Sequence, residues 1–449
     1  MTQTLKDPRT GRERFMVAAT DALGIDDAIS AAQVAAPWWA NLTTGERSRK
    51  LLHLATVVEQ AAEEYVRAEQ AGTGKPETEA RGEVEQCVDL IRFFAGAVRT
   101  DLTPGSGARL RGRESWVRWE PLGIVAAIVP WNYPLLMATW RFAPALAAGN
   151  TVLLKPAETT PESALLLGRH AQEALGDGVL QTVPGDRDTG RLVAAHSGVD
   201  GIAFTGSRAG GLDVLRKAGL RRVSLELGGN CPVLVLPDAP AHTYEKLVAA
   251  VTYNAGQSCA SPARVLTLGE SYGRTVDGLS EAMAAKRAGK DFGPLNNPDQ
   301  AARFDGIIGS SAAGIRYSGE LDVAANEEGG YWRPGVILAD VPEKDPAVTE
   351  EIFGPALTVQ AFDTLEELLS AANGVPHALA ASVWGEASAP ALRLARALNA
   401  GEVWVNCHLE QTAELPHGGR KGSGHGTDMS VLALTEYQRP KTIMVDVTS

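Results

Sequence analysis

Three short, wholly apolar runs set the strongest limit on how this chain can fold. Gly123-Ile124-Val125-Ala126-Ala127-Ile128-Val129, Thr151-Val152-Leu153-Leu154 and Gly201-Ile202-Ala203-Phe204 are bounded by turn residues and separated by stretches of helical period at 134–147, 161–175 and 187–196. A strand with one face in water alternates apolar and polar residues, whereas a strand apolar throughout has to be covered on both faces. Such strands alternating with helices predict a parallel, doubly wound α/β sheet. Residues 122–229 are therefore a dinucleotide-binding candidate. A second α/β unit opens at Cys231-Pro232-Val233-Leu234-Val235-Leu236 and runs to about residue 420.

Around this core the signals are more local. Ala-rich helices are predicted at 26–42 and 44–72, the second opening on Thr43-Thr44-Gly45-Glu46 as a cap, and another at about 77–99 with Cys87 as a packed core thiol. Residues 101–120 change to short alternating stretches around Gly105-Ser106-Gly107 and Trp116-Val117-Arg118-Trp119, which read as a hairpin. The tail Lys441-Thr442-Ile443-Met444-Val445-Asp446-Val447 reads as a lone strand with no partner evident in the chain, available to pair with another subunit.

Composition excludes several function classes. A formal charge of −12 argues against nucleic acid or an anionic membrane surface as a partner, because both attract basic surfaces. The cysteines at 87, 231, 259 and 407 form neither a CxxC pair nor a disulfide framework, which suggests a reducing compartment. The first residues carry no apolar signal-like run, and no 18-residue uncharged apolar stretch occurs. A cytoplasmic location is expected. His408, His417 and His425 lie nine and eight positions apart, matching neither a helical ligand pair nor a zinc loop, so no metal is expected.

The chemistry concentrates at Asn254-Ala255-Gly256-Gln257-Ser258-Cys259, where a thiol stands beside a glycine, an amide and a hydroxyl rather than in an apolar run. Upstream stand Pro130-Trp131-Asn132-Tyr133-Pro134, Lys155-Pro156-Ala157-Glu158, Phe204-Thr205-Gly206-Ser207 and Val223-Ser224-Leu225-Glu226-Leu227-Gly228-Gly229-Asn230; downstream stands Glu350-Glu351-Ile352-Phe353-Gly354-Pro355. These strings, in this order, resemble the signature set of the NAD(P)-dependent aldehyde dehydrogenase superfamily over nearly the whole chain. The resemblance implies a fold of two doubly wound, Rossmann-like α/β domains with a β oligomerisation arm. Residues 1–103 and 122–229 would form the NAD-binding domain, 230–423 the catalytic domain, and 104–121 with 424–449 the arm and C-terminal strand of a homo-oligomer, dimer or tetramer.

For the cofactor, the residues alone are indecisive. GxGxxG is absent, and the P-loop pattern fails because Pro76 follows Gly74-Lys75 and Glu69 replaces the leading glycine. The resemblance implies instead that the turn at Gly206-Ser207, with Gly211 four positions past the serine, aims backbone N–H groups and a helix dipole at a pyrophosphate. An ordinary Gly-Ser helix start would look the same. Lys155 and Glu158 follow a strand where ribose-binding groups are presented, and a carboxylate there favours NAD over NADP. Trp131, Leu227, Glu351 and Phe353 complete the implied cofactor set, Glu351 at the nicotinamide ribose and Phe353 at its ring.

The resemblance also implies an oxidoreductase mechanism. Cys259 is the nucleophile that adds to the aldehyde, the backbone N–H of Cys259 and the Asn132 amide stabilise the alkoxide, and Glu226 activates the water that hydrolyses the thioester. Leu225 and Leu227 beside Glu226 suggest an apolar strand that desolvates the carboxylate; a solvent-facing edge-strand acid is the alternative. Cys231 and Cys407 are assigned to packing, with an accessory role near the substrate mouth as the alternative for Cys407.

Substrate choice is expected in the wall around the thiol. Tyr133 and Trp140, seven positions apart, share a helix face, and the following loop offers Glu410, Glu414 and His417 with no Arg or Lys before Arg420. Acids and aromatics suit an ω-aminoaldehyde, and the stretch from Val405 to Ser430 is most similar to the aminobutyraldehyde dehydrogenase branch. Betaine aldehyde or broader aldehyde use is the alternative. A coenzyme-A-acylating relative would lack Glu226, and a non-enzymatic relative would often lose Cys259. One departure from the family is a shorter, Ala- and Gly-rich 267–292, expected to alter surface or assembly.

Overall fold

A computed structural model describes residues 2–100, 105–324, 327–386 and 388–448. Among these, the apolar runs assemble as parallel neighbours in one five-stranded sheet, ordered Leu180–Thr182, Thr151–Lys155, Ile124–Ile128, Gly201–Gly206, Arg222–Leu227. The strand earliest in sequence is central, so the winding reverses between it and Gly201–Gly206. Ligands of such sheets bind beyond the carboxyl ends at that reversal. The helix Pro134–Ala147 fills the space between the sheet and the helix Glu77–Ala97 and is buried at every position, which explains its unbroken apolar character. Cys87 lies in the same core, fully buried.

The second unit is a seven-stranded sheet, ordered Ile315–Ser318, Val336–Ala339, Ala356–Phe362, Pro262–Leu268, Cys231–Val235, Ala380–Trp384, Glu402–Val405. Ile315–Ser318 runs antiparallel to its neighbour and the remaining pairings are parallel. The shortened 267–292 stretch folds into the helix Tyr272–Ala284, and its Val276, Leu279 and Met283 pack into the core over this sheet. That stretch thus contributes to the core as well as to the surface.

Two expectations need correction. The single helix at 44–72 is two helices, Thr44–Gln60 and Ala62–Thr73, broken at Ala61, where ψ is 14°. Both halves pack on Glu77–Ala97 and Glu162–Leu175, a tertiary demand with no local signal in an Ala-Ala step. The start is as expected: Thr43 Oγ1 accepts from the Glu46 N–H while Glu46 Oε2 accepts from the Thr43 N–H, a reciprocal cap.

The tail is not a lone strand. Gln438–Asp446 runs antiparallel to Arg113–Pro121 over its whole length, from Gln438 opposite Pro121 to Asp446 opposite Arg113. With Gly107–Leu110 it forms a three-stranded sheet, so the expected hairpin is present and the tail completes it. Arg113–Asp446 at 2.6 Å and Lys441–Glu120 at 2.9 Å fix the register. The expected boundary at 103 and 104 lies outside the described residues. Among the described residues no helix is long and apolar enough to cross a membrane.

Candidate active site

Three cavities meet along the carboxyl edge of the five-stranded sheet. The first, about 410 Å³, is walled by Tyr133, Met137, Trp140, Tyr253, Cys259 and Glu410, among others. The second, about 500 Å³, contains Trp131, Asn132, Gly206, Ser207, Glu226, Leu227, Glu351 and Phe353, and again Cys259. The third, about 410 Å³, shares Trp131, Gly206 and Ser207 with the second and reaches Lys155 and Glu158. Cys259 stands in the wall common to the first two.

The loop that carries Cys259 is set by unusual backbone. Asn254, Ala255 and Gly256 take successive left-handed conformations, at φ 48°, 52° and 71°. A Cβ on Gly256 would lie 2.2 Å from the Gly354 carbonyl oxygen, so only glycine fits there. The Asn254 N–H donates to Glu79 Oε2 at 2.9 Å, which ties the turn to the helix Glu77–Ala97. Asn132 is held by both sides of this loop: its Nδ2 donates to the Gln257 carbonyl at 2.9 Å, and its own carbonyl accepts from Asn254 Nδ2 at 2.9 Å and Lys75 Nζ at 3.1 Å. One amide hydrogen is thus spoken for and the second is uncommitted among the described residues.

Glu226 lies on the sheet's edge strand, where the 422–426 segment covers it, and it is 1% exposed. The solvent-facing alternative is therefore ruled out by burial. Both its carboxylate oxygens are without a hydrogen-bond partner among the described residues. Glu226, Cys259 and His417 each direct a ligand-type atom into a space less than 4.8 Å across. Burial pushes the Cys259 thiol well above its ordinary range, and the charge of Glu226 pushes it further. Such a thiol is protonated in the free protein and needs an adjacent base to act as a nucleophile.

His417 does not line the first cavity as expected. It is buried behind Glu226, with Nε2 3.9 Å from Glu226 Oε1 and the ring edge-on to Trp140 at 5.0 Å. Its Nδ1 lies 2.9 Å from Glu402 Oε2, which also accepts from Gln411 Nε2 at 3.2 Å. Burial alone would lower its pKa, but the carboxylates of Glu226 and Glu402 on either side of the ring override this and raise it to about 9. Nearby, Arg141 donates to Asp428 Oδ1 at 2.5 Å and to Thr205 Oγ1 at 2.6 and 2.9 Å, a buried network that supports the same edge.

Other expected residues divide. Glu351 Oε1 accepts from the Gly229 N–H at 2.9 Å, and burial lifts its carboxyl to about 8. A Cβ on Gly228 would lie 2.1 Å from Glu351, so this approach requires glycine. Phe353, at φ 55°, meets Trp131 edge to face at 5.5 Å, and its carbonyl accepts from Gln300 Nε2 at 2.7 Å. Lys155 and Glu158 pair at 3.6 Å, the lysine buried and the acid more exposed. Ser207 caps the helix Arg208–Ala218 by accepting from the Gly210 N–H.

Gly211, expected at the cofactor, faces the core: a Cβ there would lie 2.7 Å from Leu227, and Gly210 lines the cavity in its place. Glu414 is exposed and bonds Thr412, away from the first cavity, whereas Glu410 lines it. Cys407 also lines it, so packing is not its whole setting. Reasoning from sequence missed Lys246, which brings a cation to the same cavity from the helix Thr243–Thr252, and Glu83, buried against Lys75 at 2.5 Å. Glu402 was missed too. None of these stands in a motif.

Two doubly wound sheets meeting at a thiol-bearing loop define an α/β protein of the dehydrogenase type. The chain belongs to the aldehyde dehydrogenase family, whose model matches residues 2–443. It is 36% identical to fluoroacetaldehyde dehydrogenase of Streptantibioticus cattleyicolor, covering 98% of this chain and 91% of that protein. Retinal dehydrogenase 2 of Rattus norvegicus is 33% identical, with 98% and 88% covered. Among solved structures, betaine aldehyde dehydrogenase from Staphylococcus aureus in complex with NAD+ superposes with a TM-score of 0.94 at 26% identity, covering 100% of this chain and 92% of that one.

Proposed function

We propose that this protein oxidises an aldehyde to its carboxylic acid with NAD as hydride acceptor. The observation that carries the reading is Cys259 in the wall shared by two cavities, one for each substrate. The second and third cavities fit a dinucleotide: Glu351, Phe353, Trp131 and Leu227 would hold the nicotinamide riboside, the helix start at Gly206-Ser207 the pyrophosphate, and Lys155 with Glu158 the adenine ribose. When bound, NAD supplies the electrophile that takes the hydride.

The chain's own residues supply the remaining steps. Glu226 accepts the thiol proton, and Cys259 Sγ forms a bond to the aldehyde carbon. Asn132 and the Cys259 N–H steady the alkoxide, a contribution of roughly 3 kcal/mol per donor. Once the hydride has left, the carbon is a thioester. Glu226 passes the first proton to solvent, then takes a proton from water, whose oxygen displaces Sγ as the thiolate and releases the acid. By this reading the five-stranded sheet with the N-terminal helices is the NAD-binding domain and the seven-stranded sheet the catalytic one.

For the substrate, Glu410, Tyr133, Trp140 and Tyr253 around the first cavity favour an ω-aminoaldehyde such as 4-aminobutyraldehyde. Lys246 at the same cavity is the observation favouring a carboxylated semialdehyde instead. An NADH-production screen over 4-aminobutyraldehyde, betaine aldehyde, succinic semialdehyde and aliphatic aldehydes, with and without coenzyme A, tests both. Turnover of 4-aminobutyraldehyde with the highest kcat/KM, without need of coenzyme A, is expected; a preference for succinic semialdehyde would overturn the substrate, and NADH formation only with coenzyme A would overturn hydrolysis.

The protein is further read as a cytoplasmic homo-oligomer joined through the three-stranded arm. Support comes from its exposed apolar residues Leu110, Trp116, Val117, Met444 and Val445.

A further inference from the structure

We propose that Cys259, Glu226 and His417 form a binding site for one zinc-class transition-metal dication per chain. Their ligand atoms, Sγ, a carboxylate oxygen and Nε2, all lie within 4.8 Å of one another. Three protein ligands of a tetrahedral zinc ion sit roughly 3.4–3.7 Å apart. Glu226 and His417 are already at 3.9 Å, and side-chain adjustments of about 1 Å, through the soft terminal torsion of the carboxylate and the Cys259 χ1, bring the set to that spacing.

The atoms that would bind are the ones left without partners. Glu226 Oε1 and Oε2 and His417 Nε2 are buried with no hydrogen bond among the described residues, an arrangement that usually has a ligand to answer it. The far side of the imidazole is already organised as it is behind metal-bound histidines. Nδ1 faces Glu402 Oε2 at 2.9 Å, an oxygen that also accepts from Gln411 Nε2, so the ring is held from behind with Nε2 aimed at Glu226, and a metal ion bound there displaces the Nε2 proton as it displaces the thiol proton. The Trp140 ring holds the imidazole plane.

The ligand chemistry selects the ion. A thiolate and a carboxylate bring two negative charges, which match a dication, and the imidazole binds neutral. Sulfur and nitrogen exclude magnesium and calcium, which require oxygen shells, and suit zinc or cobalt. The three ligands leave a fourth position open to the second cavity. Spacing along the sequence hid this set, because only His417 among the histidines belongs to it and its companions come from residues 226 and 259. If Cys259 and Glu226 act as proposed above, the ion removes nucleophile and base together, so the site is a reversible off-switch; binding itself does not depend on that reading.

The test uses the metal alone, with neither NAD nor aldehyde. Titrating the full chain with chelator-buffered Zn2+ is expected to give one site per chain and to protect Cys259 from iodoacetamide. Co2+ should give a thiolate-to-cobalt charge-transfer band that is lost in Cys259→Ser and kept in Cys407→Ser. Zn2+ affinity should fall at least tenfold in His417→Phe and between tenfold and a hundredfold in Glu402→Gln, which keeps all three ligands. Absence of stoichiometric binding, a band that follows Cys407, or affinity unchanged in Glu402→Gln would overturn the site. Aldehyde oxidation by the metal-free protein is measured separately, so an inactive protein that still binds zinc would count against the dehydrogenase reading alone.

Discussion

At the scale of single residues, the division of labour between Cys259 and Glu226 gives the sharpest expectations. Cys259→Ala should abolish aldehyde oxidation while NAD affinity stays within about twofold, since the thiol bonds only to the substrate carbon; isothermal titration with NAD reads the second half. Glu226→Gln tests when the base is needed. The thiol is held protonated by its surroundings, so the amide should slow both thiol addition and thioester hydrolysis, the latter more, because thiols ionise without help far more readily than water. Rapid-mixing kinetics should therefore show a slowed NADH burst of one equivalent per site followed by a stall; steady turnover without a burst would remove Glu226 from hydrolysis. The two charges at the first cavity should act in opposite senses. Glu410→Gln should lower kcat/KM for an ω-aminoaldehyde relative to a neutral aldehyde of equal length by up to roughly tenfold, and Lys246→Gln should raise it, both within the range of partly solvated pairs. No change in either ratio would place selectivity in the aromatic walls. The residues of this site were legible unevenly. Cys259, Glu226 and Asn132 stand in strings whose composition already suggests chemistry, whereas Lys246, Glu83 and Glu402 are ordinary charges on regular elements and become site residues only when the fold brings them there.

At the scale of elements, the helix Glu77–Ala97 shows how packing is linked to protonation. Glu79, on its first turn, holds the left-handed loop before Cys259 through the Asn254 N–H, and burial lifts its carboxyl from 4.5 to about 7. Its folded-state pKa is raised, so its contribution to stability is complete below about pH 4.5 and is lost as pH rises through 7. Two and a half pH units correspond to at most about 3 kcal/mol. Glu79→Gln, which keeps the acceptor oxygen, should flatten the fall of the urea midpoint between pH 4.5 and 7 and leave the protein more stable than its parent at pH 8; a parallel pair of curves would mean that Glu79 is solvated. Glu83, lifted to about 8 by burial, should keep a residual slope in both proteins. Elements with a period of their own were legible: the strands of the first sheet, the helix Pro134–Ala147 to the residue, and the cap at Thr43. Features set by distant packing were not. The break at Ala61 has no breaker residue, and the left-handed Ala255 is unfavourable as an isolated choice, tolerated because Gly256 and Gly354 pack backbone to backbone beside it.

At the scale of the whole molecule, the arm is where the two ends of the argument meet. Ending the chain after Tyr437 would strip Arg113–Pro121 of its antiparallel partner and expose a long unpaired strand edge. The truncated protein should sediment as a smaller species than its parent, or aggregate, while Cys259 remains open to alkylation; an unchanged assembly would remove the arm from subunit contact. The tail was legible as a strand but its partner was not, because pairing depends on a fold that spans both sheets. That pairing also sets a timetable. Arg113 and Asp446 are 333 residues apart, so at the usual 5–20 residues per second the ribosome needs on the order of 20 to 60 s to deliver the second strand after the first. Throughout that interval Arg113–Pro121 has an unpaired edge. Both sheets take their last strand by Val405 and can close around their cores before Gln438–Asp446 emerges, so the arm is the last of these sheets to be completed.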